Sequence, residues 1–155
     1  MPRSRIRVTL LAVAASFALG AAAQPNTDAN TRKAFKGYAL TELGASGLLY
    51  NARARELYLK ALGPLSKEAW LAKLDGPSPQ NRPVKVAGAD YMLVAACKNR
   101  DCEQNNVVLL WSGTQDVVYG NVFQKGKMTL IGAPPPAVAA ELTKLWKTEW
   151  RSQPK

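Results

Sequence analysis

The sequence predicts an α+β domain, an antiparallel sheet of about five strands with helices packed on both faces. Three observations carry that prediction. Residues 91–96 and 107–111 are apolar at every position, and a strand apolar on both alternating faces is covered on both, usually by helices. The strand-like runs between 84 and 131 are separated by short polar turns, which join antiparallel neighbours. Helical periodicity brackets these runs, from 48 to 74 ahead of them and from 137 to 150 behind.

In chain order, the N-terminus comes first. Arg3, Arg5 and Arg7 form a basic n-region, residues 8–19 an apolar h-region, and Ala21, Ala22 and Ala23 supply small residues for cleavage. Residues 1–23 read as a secretory signal peptide, and 24–155 as a single domain. The apolar run is shorter than the roughly 20 residues a membrane-spanning helix needs, so no membrane association is expected after cleavage. The first cysteine is Cys97, so no lipid attachment is expected near the cleavage site. Residues 24–31 are polar. Ala34, Phe35, Tyr38 and Leu40 fit a short helix weakened by Gly37, and 41–47, with two glycines, reads as a break.

Residues 48–62 have a helical period, with Leu49, Ala52, Leu57, Ala61 and the stem of Arg53 near one side and a favourable Glu56–Lys60 pair. Gly63 and Pro64 end that helix. Ser66 is the expected N-cap of a second, short helix with Trp70, Leu71 and Leu74 on its apolar stripe. Residues 75–83, with three prolines, form a connector. Strands are expected at 84–86, 91–96, 107–111, 117–123 and 128–131, with Gly120 marking a bulge or close approach. Prolines 134–136 forbid further strand pairing. A helix then fits 137–150, with Val138, Leu142, Leu145, Trp146 and Trp150 on one stripe.

Residues 97–102 stand between the two most apolar strands and hold both cysteines of the chain. In an oxidising compartment an even cysteine count reads as disulfide, and two cysteines allow one intramolecular pairing. A Cys97–Cys102 bond would close the tip of a hairpin and set Lys98, Arg100 and Asp101 on a rigid knuckle in solvent. The bond is either a plain staple or the frame of a recognition loop.

Several chemistries are excluded by inventory. There is no histidine, the commonest general base and zinc ligand. A disulfide would remove both thiols, and no phosphate-cradling glycine motif is present. No enzyme activity, cofactor or metal is therefore expected. A carboxylate pair could run glycoside chemistry, but nothing in the spacing of Asp90, Asp101, Glu103, Asp116 and Glu141 selects one. Formal charge is +10, and setting aside the three arginines of residues 1–23 lowers it to +7. The basic residues are scattered, with no run of five, and read as a solvated cationic surface. Nucleic acid is not an expected partner for an exported chain.

The stretch 91–112, with its Ala-Cys-Lys-x-x-Asp-Cys centre and its apolar-Trp-Ser finish, resembles the inhibitor of vertebrate lysozyme (Ivy) family, whose hallmark is a Cys-Lys-Pro-His-Asp-Cys loop. The resemblance continues through the glycine-containing strand 118–123. It implies an Ivy-like fold and a periplasmic protein, often a homodimer, that plugs the cleft of c-type lysozyme with this loop. Cys97 and Cys102 match the family disulfide, and Lys98 and Asp101 match its flanking residues. Asn99 stands where the family has proline. Arg100 stands where it has the histidine that inserts between the enzyme's catalytic carboxylates. Lys98, Asn99, Arg100 and Asp101 are thus the expected inhibitory loop. A second expectation is a family member without lysozyme inhibition that binds lytic transglycosylases or another acidic envelope partner.

Overall fold

The structure, a computed structural model, describes residues 44–151. The signal peptide, the short helix around 34–40 and the tail beyond 151 lie outside the described residues. Five strands form one antiparallel meander, β1 (Arg82–Val86), β2 (Ala89–Cys97), β3 (Asn105–Ser112), β4 (Val117–Gln124) and β5 (Lys127–Ile131), in the spatial order β1-β2-β3-β4-β5. A 3-10 turn at Ala45–Tyr50, α1 (Ala52–Leu62), a 3-10 turn at Gly63–Lys67 and α2 (Ala69–Lys73) precede the sheet, and α3 (Pro136–Trp150) follows it. The expected α+β class is what is found.

The two apolar strands explain the layering. Every residue of β3 is buried, and the last seven of β2 are. Met92, Val94 and Ala96, with Val107, Leu109 and Trp111, form a core with Ala54, Tyr58 and Leu71 of α1 and α2. The alternate residues Leu93, Ala95, Val108 and Leu110 form a second core with Val138, Leu142 and Trp146 of α3. Each valine, leucine or methionine among them, fully buried, stabilises the fold by roughly 1.5–3 kcal/mol before entropy is counted. Register is therefore fixed, because a slip of one residue would exchange the two cores.

Turn chemistry fits the meander. The β1–β2 hairpin turns at Ala87 and Gly88 (φ 48° and 80°), and the β4–β5 hairpin at Lys125 and Gly126 (φ 49° and 83°). Two positive φ values in a two-residue loop make a type I′ turn, whose twist matches that of the strands. Gly120 is a close approach, as expected: a Cβ there would stand 2.6 Å from Leu109 Cδ2 and 2.8 Å from Ile131 Cγ1.

Four local expectations are corrected. Residues 45–50 form a 3-10 turn inside the stretch read as a break and a helix start, and α1 begins at Ala52, where the Asn51 side chain accepts from the Ala54 N–H (2.9 Å). The buried stripe of α1 is Ala54, Tyr58 and Leu62, with Leu57 and Ala61 only partly covered at its margin and Ala52 exposed. Tyr58 can turn inward because its hydroxyl donates to the Leu71 carbonyl (2.7 Å). Glu56 pairs with Arg53 (2.8 Å), which reaches on to a second carboxylate, Asp116. Ser66 does not cap α2; its hydroxyl donates to the Gly63 carbonyl (2.6 Å), and Glu68 holds the cap position.

Candidate functional site

The chain leaves β2 at Cys97 and enters β3 at Asn105, and the two sulfurs between them are bonded. In the chain-entropy model a ring this small stabilises by about 2 kcal/mol. Inside it, the Asp101 N–H donates to the Lys98 carbonyl (3.0 Å). Arg100 has φ 62°, while Asn99 stays on the negative side. These are the φ signs of a type II turn, with Asn99 and Arg100 at its two central positions. Proline suits the first of these positions, and the second needs the left-handed region, which costs an arginine roughly 1–2 kcal/mol. The turn holds Arg100 there at the apex. Lys98, Asn99 and Arg100 are all exposed.

Asp101 behaves differently from the expectation that it points into solvent. It is half-buried, and its carboxylate accepts from Asn105 Nδ2 (2.6 Å), while its carbonyl accepts from the Asn105 N–H (3.0 Å). Its role here is to close the base of the loop. Within the ring, the exposed residues are therefore Lys98, Asn99 and Arg100.

The base is held from three sides. On the β1 flank the Cys97 N–H donates to the Pro77 carbonyl (3.0 Å), and Gly76 lies so close that a Cβ would stand 1.8 Å from the Cys97 oxygen. Beneath the loop, the buried Asn106 donates through Nδ2 to the Cys102 carbonyl (2.7 Å) and accepts from Trp146 Nε1 (2.6 Å). On the β4–β5 flank the Lys125 N–H donates to the Gln104 carbonyl (2.8 Å). Arg151 closes the end of α3 over the loop, stacking on Phe123 and Trp146 (4.8 and 4.9 Å to the ring centres) and donating to the Glu103 carbonyl (3.3 Å). Asn106, Trp146 and Arg151 were not singled out from sequence for this role. An asparagine at the start of an otherwise apolar strand was the one signal there to read.

Among the described residues no group of three or more His, Cys, Asp or Glu could hold a metal ion, and no helix is long and apolar enough to cross a membrane. Asp90 pairs with Lys85 (3.0 Å), Asp116 with Arg53 and Glu141 with Lys144 (2.6 Å), so these carboxylates serve three separate surface ion pairs. Arg53 holds the Asp116 carboxyl below the usual carboxylate range, mainly through their hydrogen bonds.

The comparisons with known proteins agree on one family. Over 51 residues the chain is 29% identical to a protein described as inhibitor of vertebrate lysozyme from Pseudomonas aeruginosa. That stretch covers 33% of this chain and 33% of the relative, so the match spans about a third of the curated protein's length. The sequence profile of the family "Inhibitor of vertebrate lysozyme (Ivy)" matches residues 53–153, which include α1 from its second residue onward, the whole sheet, the disulfide loop and α3. This chain belongs to the inhibitor of vertebrate lysozyme family.

Proposed function

We propose that the protein is exported to the periplasm and inhibits a muramidase, c-type lysozyme in the first instance, by inserting the loop 97–102 into its catalytic cleft. The observation that carries this reading is the apex of the loop. Arg100 projects from a turn closed by a disulfide and braced from three sides, on a chain of this family. A muramidase cleft offers a general acid and a second carboxylate about 5–10 Å apart. A guanidinium is charged at every relevant pH and donates in a planar fork that matches a carboxylate. A braced loop also enters with little ordering cost. Lys98 would add a second cation beside it. The protein acts by occlusion and turns over nothing.

The cationic apex and the positive net charge favour a second reading, in which the target is a lytic transglycosylase, which acts on the same polymer. Many c-type lysozymes are themselves strongly basic, and two basic proteins meet slowly.

A cell-wall lysis assay with purified protein against each enzyme tests both readings. Arg100→Ala is expected to abolish inhibition with no change in thermal midpoint, because the side chain is exposed. Full inhibition by that variant would remove the loop from the mechanism.

A further inference from the structure

The basic residues look scattered along the chain, but the fold collects five of them at one end. Lys98 and Arg100 lie on the loop, Lys125 and Lys127 at the β4–β5 turn, and Arg151 at the end of α3. The turn is part of the loop's own end of the sheet. Asn105 pairs with Gln124, the Lys125 N–H is bonded to the Gln104 carbonyl, and Arg151 is bonded to the Glu103 carbonyl. Lys125 and Lys127 are exposed, and their backbones are held by a type I′ turn.

The charge is also lopsided. The carboxylates at this end are Asp101, turned inward onto Asn105, the exposed Glu103, Asp75, and Glu149, which is buried beside Cys102 and neutralised by its ion pair with Arg82. Asp75 belongs to the connector that runs past Cys97 on the β1 flank, opposite the β4–β5 turn. The cations thus extend from the loop toward β5.

We infer that the β4–β5 turn is a second contact element, and that the loop's partner is a glycan-cleaving enzyme with an acidic rim beside its cleft, met on the β5 side by Lys125 and Lys127. This inference rests on the cleft-plugging role proposed above. Like charges at a rim slow encounter, and opposite charges speed it by ten-fold or more at low salt. A basic rim would be repelled by the flank that must lie against it.

Association and dissociation rates by surface plasmon resonance test this. The probes are a lytic transglycosylase of net negative charge and a c-type lysozyme of net positive charge. The variants are Lys125→Glu/Lys127→Glu and, to avoid the positive-φ position, Lys127→Glu alone. For the acidic enzyme, association of the double variant is expected to slow about ten-fold at ~20 mM ionic strength and to approach wild type above ~0.5 M, where screening acts within a few ångströms. Dissociation is expected to stay within about two-fold, since a rim charge acts on encounter. Lys127→Glu should show the same trend at smaller size.

An unchanged association rate in both variants would overturn the inference. So would binding of the wild type to the basic lysozyme alone, with charge reversal speeding it, although the loop would still plug a cleft in that case. Failure of the wild type to bind either enzyme would overturn the inference together with the cleft-plugging reading beneath it.

Discussion

Asn106 is the buried residue on which the loop most depends. It joins the Cys102 carbonyl above to the Trp146 indole below, and no part of it reaches solvent. Leucine has a similar branched shape and can make neither bond, so Asn106→Leu would leave one partly buried carbonyl and one buried N–H without partners. Each orphan costs roughly 1–3 kcal/mol, so the variant is expected to lose about 2–5 kcal/mol. That equals or exceeds the roughly 2 kcal/mol from the disulfide, and it is a large share of the roughly 5–15 kcal/mol of a typical domain. In urea, with a slope of about 1–3 kcal/mol/M, the midpoint should fall by about 1 M or more. Trp146→Phe removes the indole donor, and the double variant should cost about 2–3 kcal/mol less than the sum of the two singles, because two orphans, the Trp146 N–H of one single and the Asn106 Oδ1 of the other, are both absent from it. Hydrogen exchange should show the Asp101 and Asn105 amides losing protection first. A loss below about 0.5 kcal/mol, or strict additivity in the cycle, would refute the reasoning, since neither can follow if Asn106 bridges the partly buried Cys102 carbonyl to the buried Trp146 indole.

Three further outcomes are expected. Asn99→Pro places the residue the turn geometry favours at its first central position. It should raise stability by about 0.4–1 kcal/mol and slow dissociation from the target, and a lower melting temperature would show that the turn is not the one described. Replacing both cysteines with alanine should cost about 2 kcal/mol in chemical denaturation and weaken inhibition more than it weakens the fold, because it frees the loop specifically; equal inhibition by the reduced and oxidised forms would contradict that. Asp116 titrates below the ordinary carboxylate range because Arg53 holds its charged form. Its contribution to stability is present above the unfolded-state pKa and lost as pH falls through the lowered folded value. Carbon-detected NMR titration should place the carboxyl back in the ordinary range in Arg53→Met, and an unmoved titration would exclude the pair as the cause.

The sheet was legible in the sequence because β2 and β3 are apolar on both faces. Once those two runs are read as strands, a helix is required on each side, and residues 137–150 supply the stripe for one of them. The α1 stripe was less legible. Leu49 and Leu57 are more apolar than Tyr58, but Tyr58 is the residue buried, because its hydroxyl finds the Leu71 carbonyl across 13 positions of chain. The loop itself was marked by its two cysteines, yet the inward turn of Asp101 depends on Asn105 being within reach, and nothing in the spacing states that. The cationic end was hidden for a plainer reason. Lys98 and Lys127 are far apart in sequence, and only the pairing of Asn105 with Gln124 and of Gln124 with Lys127 brings them to the same end of the sheet.

The meander order of the sheet bears on how this protein matures. Every strand pairs with the strand next to it in sequence, and the sulfurs to be joined are five residues apart. With two cysteines in the chain, oxidation has a single intramolecular product and crosses no other connection. The bond can form on the emerging polypeptide or on the finished domain and arrive at one topology, so maturation calls for an oxidase and no isomerase to sort mispaired forms.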